Sequence, residues 1–122
     1  MKIFIDASLL IYLNIPLPDS EASIIENFYK ELLSEELYTD ILVLDETIYI
    51  SRKKYSVPQK DTIEYIDRAV IPYVDILPLT DQEYEKAKMF IIKYNLKPSD
   101  VIYLTVISNY KINFIAIENS DF

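Results

Sequence analysis

Four short apolar runs, at residues 2–5, 41–44, 73–77 and 114–117, are each separated from the next by two stretches with helical spacing, and this alternation constrains the chain most. Strands joined through helices must cross over, so neighbouring strands run parallel and helices cover both faces of the sheet. The expected class is therefore α/β: a three-layer α/β/α sandwich around a central parallel sheet of about four strands. At 122 residues the chain has room for one domain, 1–122. The run at 41–44 lacks alternation, as a strand buried on both faces does. Helices are expected at 8–13, from a cap at Asp19 or Ser20 to about 37, at 45–55, 58–71, 80–95 and 98–110. In the second of these Ile24, Ile25, Phe28, Leu32 and Leu33 recur at helical spacing with acids and Lys30 between them. Thr80 followed by Glu83 is a capping-box pattern. The chain has no glycine, so Asn14 and Asn95 are expected to serve at left-handed helix exits.

The missing residue types also remove whole classes of chemistry. Without His there is no Ser-His-Asp triad, and without Cys or His there is neither a thiol nucleophile nor an ordinary structural zinc site. Without Gly there is no phosphate-binding P-loop and no dinucleotide turn. Carboxylates, hydroxyls, amides, Lys and Arg remain, which points any catalysis towards acids with a divalent metal. No apolar run reaches the roughly 18 residues of a membrane span. The first acid, Asp6, follows only three apolar residues, which is no secretory core, and the expected location is cytoplasmic. The net charge of −8 opposes simple phosphate binding. Acids gathered around a metal ion can reverse that sign locally.

Ligands of open parallel sheets bind beyond the carboxyl ends of the strands. Asp6 follows the first expected strand, Asp45 and Glu46 the second, and Asn119 and Asp121 the last, while Asp100 lies in a first helical turn after Pro98 and Ser99. Such acids suit a hard cation, Mg²⁺ or Mn²⁺, which takes oxygen ligands. Acids at helix starts are also favoured by the helix dipole alone, by about 0.3–1 kcal/mol each. Ser8 would either orient a ligand carboxylate or cap the following helix. Arg52, Lys53 and Lys54 begin roughly 9 Å along a helix from Glu46, where they either match the dipole at the helix end or meet phosphate groups flanking a metal.

Residues 1–12, with Ile3-Phe4-Ile5-Asp6 followed by Ala7-Ser8 and an apolar helix, resemble the opening of PIN-domain proteins, a metal-dependent ribonuclease family that includes the VapC-type toxins. Val43-Leu44-Asp45-Glu46-Thr47 resembles the second motif of that family, and Pro98-Ser99-Asp100-Val101-Ile102 the third. The resemblance implies an endoribonuclease whose Asp6, Glu46 and Asp100 hold Mg²⁺ or Mn²⁺. It also implies a homodimer, an RNA substrate and an antitoxin partner that reaches the acidic crevice with a basic side chain. In the fourth motif Asn119 stands at the usual acid position and Ile117 at the usual hydroxyl position, leaving Asn119 or Asp121 as a fourth ligand. That departure supports an alternative, a PIN fold acting as a binding or scaffold protein. A receiver-like phosphoacceptor lacks its Asp after a central strand and its Lys after the last, and a haloacid-dehalogenase-like phosphatase lacks its Asp-x-Asp after the first.

Overall fold

A computed structural model describes residues 1–117, and within them each strand but the last is followed by a pair of helices. The order is β1 (Lys2–Ile5), α1 (Ala7–Asn14), α2 (Asp19–Leu32), β2 (Glu36–Asp40), α3 (Ile41–Tyr55), α4 (Gln59–Ala69), β3 (Val74–Leu77), α5 (Asp81–Tyr94), α6 (Pro98–Asn109) and β4 (Phe114–Ala116). The sheet is parallel throughout, in the order β3-β2-β1-β4. Ile3 lies opposite Leu37 on one side and Phe114 on the other. The chain steps from β1 to β2 to β3 in one direction and then returns past β1 to place β4. Right-handed crossovers therefore put α1–α4 on one face and α5–α6 on the other, giving the α/β/α sandwich. Packing agrees, with α1 against α2 and α3, α3 against α4, and α5 paired with α6.

Burial follows from the sequence of each element. β1 is flanked on both sides, and its Ile3, Phe4 and Ile5 are all buried, so the strand is apolar without alternation. α1 buries Ala7, Leu9, Leu10 and Ile11 and is apolar nearly all round, the signature of an interior helix. The core adds Val43 of α3, Val70 after α4 and Val106 of α6. Thr80 caps α5, accepting from the Gln82 N–H at 3.3 Å while its hydroxyl donates to the buried Glu83 at 2.6 Å, so the two residues of the capping-box pattern meet side chain to side chain.

Three expectations are corrected. The run 41–44 is the first turn of α3, not a strand. The second strand is Glu36–Asp40, of which only the first two residues fall in the helix expected above. Helix α2 instead stops at Leu32, where the Ser34 hydroxyl donates to the Glu31 carbonyl at 3.0 Å and the Glu35 N–H to that of Leu32 at 2.9 Å. Asn14 is no left-handed exit: the chain leaves α1 extended at Ile15. The Asn14 amide donates to Ser51 (3.1 Å) and Thr62 (2.7 Å), tying α1 to α3 and α4. Asn95 does adopt the left-handed conformation, with φ 52°, as do Ser56 and Lys111, which accept the strain that glycine would relieve.

Tyr29 ties α2 to α4, its hydroxyl donating to the Ala69 carbonyl at 2.7 Å. Burial, with the charge of Tyr73 second, pushes its pKa up from 10 to about 12. Tyr29→Phe is expected to lower stability by about 1 kcal/mol at pH 7, through the lost hydrogen bond. A phenol with a raised folded pKa contributes its stability below pH 10 and loses it as pH climbs towards 12. Each unit is worth about 1.4 kcal/mol, so the difference should shrink and then reverse above pH 10. Urea unfolding at pH 7 and pH 11 measures both values, and a difference that does not move with pH would refute the buried phenol.

Candidate active site

Where the strand order reverses, between β1 and β4, a cleft of about 380 Å³ opens at the carboxyl end of the sheet. Asp6 enters it from the end of β1, Glu46 from α3, and Asp100 from the first turn of α6. Lys97 and Ser99 stand beside Asp100, and Phe4, Leu104, Ile107, Ile115 and Ile117 form an apolar wall. The cleft therefore combines carboxylates, one ammonium group and a hydrophobic side.

Asp6 is half-buried and is itself the N-cap of α1. Its Oδ2 accepts from the Ser8 N–H at 3.2 Å and the Ser8 hydroxyl at 2.9 Å, so Ser8 fixes the carboxylate rather than capping the helix. The Asp6 N–H donates to the Ala116 carbonyl at 3.1 Å, locking the end of β1 to β4. Glu46 lies in the second turn of α3, exposed, and its Oε2 accepts from the Tyr103 hydroxyl at 3.2 Å. Tyr103 follows Asp100 by three residues on α6, so both project to one side of that helix. Its ring meets that of Phe4 at 6.1 Å between centroids, tilted by 52°. Burial first, then the charge of Glu46, holds the Tyr103 phenol above its ordinary pKa, so it stays a proton donor to Glu46.

Sequence reasoning gives no role to Tyr103 and misses Asp40 altogether. Asp40 ends β2 and caps α3, its Oδ1 accepting from the Val43 N–H at 3.0 Å. It has no exposed surface. Burial raises its carboxyl above the usual carboxylate range against the lowering effect of the Val43 and Leu42 amides, and the charge of Asp6 adds to the rise. Its Oδ2 is, among the described residues, the one buried side-chain polar atom with no hydrogen-bond partner. The available signal was an N-cap residue directly before an apolar run.

The remaining candidates lie elsewhere. Arg52, Lys53 and Lys54 are exposed in the last turn of α3 and line no part of the cleft, with Lys53 donating to the Tyr49 hydroxyl at 2.9 Å. Asp45 faces the groove between α3 and α4, with Ile41, Ile63 and Ile71. Asn119 and Asp121 fall outside the described residues. Among the described residues no three carboxylates are grouped closely enough to hold an ion between them. The candidate ligands that line the cleft, the three carboxylates and the Ser99 hydroxyl, are nonetheless all oxygen, the kind a hard cation takes. In chemistry the donor set fits a divalent ion.

The sequence profile of the PIN domain matches residues 3–122. This chain belongs to the PIN-domain family. Nucleases of the family generally use divalent metal ions, in keeping with the oxygen donors of the cleft. No curated protein matches this PIN domain. Among solved structures it is similar to VapC20 of Mycobacterium tuberculosis, a toxin that cleaves the sarcin–ricin loop, with 15% sequence identity and a TM-score of 0.74. The match covers 98% of this PIN domain and 91% of VapC20. At that identity the likeness is one of fold, the parallel sheet with helices on both faces.

Proposed function

We propose that this PIN domain is a Mg²⁺- or Mn²⁺-dependent endoribonuclease, the VapC-like toxin of a toxin–antitoxin pair, working in the cytoplasm as a homodimer. One observation carries the reading: Asp6, Glu46 and Asp100, from three elements far apart in the chain, line a single cleft at the carboxyl end of a parallel sheet. These three would hold the metal, with Asn119 or Asp121 as a fourth ligand. A divalent ion bound there would supply a water of lowered pKa and offset charge on the scissile phosphate. The residues of the chain do the rest. Ser8 orients the Asp6 carboxylate and Tyr103 that of Glu46 through the hydrogen bonds described. Lys97, at the cleft, is placed to meet a phosphate, and Arg52, Lys53 and Lys54 would meet phosphates further along the strand. The acidic cleft in turn suits the cationic side chain of an antitoxin. No helix of the described residues is long and apolar enough to cross a membrane.

The second reading is a PIN fold kept as a binding or scaffold protein. Asn119 at the usual acid position favours it. A calorimetric titration with Mn²⁺, run beside cleavage of a mixed RNA pool with and without EDTA, separates the two. The nuclease reading expects Mn²⁺ binding and cleavage that EDTA stops and added Mn²⁺ restores. Metal uptake without cleavage of any RNA would favour the scaffold. No uptake at millimolar Mn²⁺ would end the metal-nuclease reading.

A further inference from the structure

Neighbouring strands β1 and β2 pair with an offset of 34 residues, Lys2 with Glu36, Ile3 with Leu37 and Phe4 with Tyr38. Carried two steps beyond the last paired residues, that offset brings Asp6 level with Asp40, and the Thr39 hydroxyl, donating to the Ile5 carbonyl at 2.9 Å, keeps the two strand ends in contact. Parallel neighbours lie about 4.8 Å apart and equivalent residues project to the same face, so the two carboxyl groups leave adjacent strand ends side by side. Each also caps the helix that follows, Asp6 through the Ser8 N–H and Asp40 through the Val43 N–H. They differ in surroundings, since Asp6 lines the cleft while Asp40 is wholly buried.

A cap needs no charge, since Ser, Thr or Asn serves as well as Asp. A buried carboxylate with one oxygen unpaired is costly, so at this position the acid calls for a use beyond capping. We propose that Asp40 is a buried fourth acid of the divalent-cation site, placed beside Asp6, where its negative charge strengthens binding of Mg²⁺ or Mn²⁺. This rests on the metal-nuclease reading and gives the site an acid that its altered last motif lacks. Because Oδ2 has no exposed surface, neither the ion nor its waters touch Asp40, which acts on the ion by its field alone. Asp40 thus acts by charge and not by contact, and losing one buried unit charge near a divalent ion is expected to lower metal affinity about tenfold or more.

The test compares wild type with Asp40→Asn and Asp40→Ser, both of which keep a capping oxygen. Mn²⁺ affinity is read by calorimetry and Tm is read in EDTA and in Mn²⁺. The proposal expects a Tm in EDTA no lower than wild type, because a buried charge has gone, with Mn²⁺ affinity down at least tenfold and a smaller rise in Tm on adding Mn²⁺. A cap alone predicts wild-type affinity and an unchanged rise, and that result in either folded variant overturns the proposal while leaving the nuclease reading intact. Should wild type itself take up no Mn²⁺, both fall together. Asp40→Ser, with the smaller side chain and a natural cap, carries the measurement if Asp40→Asn does not fold.

Discussion

Replacing Asp6 and Asp100 together by Asn is expected to abolish RNA cleavage, by about three orders of magnitude or more, while the protein stays folded. Removing one preorganised group that stabilises transition-state charge costs about 10²–10³ in rate, and this change takes away two of the three acids lining the cleft. The structural cost is small for reasons visible at each position. Asp6 caps α1 through one oxygen, and an Asn side-chain carbonyl accepts the same Ser8 N–H and hydroxyl bonds. Asp100 is exposed in the first turn of α6, where losing its charge forfeits about 0.3–1 kcal/mol of interaction with the helix dipole. Initial cleavage rates, normalised to folded protein by circular dichroism, make the measurement. A double variant that cleaves within threefold of wild type would show that these acids do not carry the chemistry.

That experiment could be designed from the sequence because Asp6 and Asp100 sit in local patterns that survive folding. Asp6 ends an apolar strand and Asp100 opens a helix after Pro98, and both assignments depend only on neighbours in the chain. The parallel α/β architecture was legible for the same reason, since alternation of strand and helix pairs leaves few topologies. The second strand was not legible. Ile41-Leu42-Val43-Leu44 is apolar without period, and such a run is equally a buried strand or a buried helical turn until its packing is known. Conversely, Glu36-Leu37-Tyr38-Thr39-Asp40 continues the glutamates of α2, and only pairing with β1 and β3 makes it a strand. Moving the strand by one element moved its terminal acid as well. The sequence pattern alone makes Asp45 and Glu46 the strand-end pair, whereas Asp40 ends the strand and Glu46 reaches the cleft from the second turn of α3. Asn14 shows the same limit, because a tertiary bond to Ser51 and Thr62 decided its role, and no local pattern announces that bond.

Phe4→Ala is expected to cost about 3–5 kcal/mol, the range for truncating a buried phenylalanine. Phe4 is 1% exposed, at the middle of the sheet between Tyr38 and Ile115, so little can collapse into the space it leaves. Against a total stability of about 5–15 kcal/mol that loss is large, and urea unfolding should show it as a lowered midpoint with an unchanged slope. A cost below about 1 kcal/mol, the low end of core truncations, would contradict the packing described here. Phe4 also lies under the cleft and supports the ring of Tyr103, whose hydroxyl holds Glu46. Leu10→Ala is the control, since Leu10 is equally buried in α1 but lines no part of the cleft. Both variants lose stability, so the activity remaining per folded molecule distinguishes them. For Leu10→Ala it should match wild type. For Phe4→Ala it should fall, because Tyr103 loses its support and the Glu46 carboxylate loses its fixed orientation. Equal specific activity in the two variants would mean that the Phe4–Tyr103–Glu46 relay is packing alone, and that Glu46 finds its position without it.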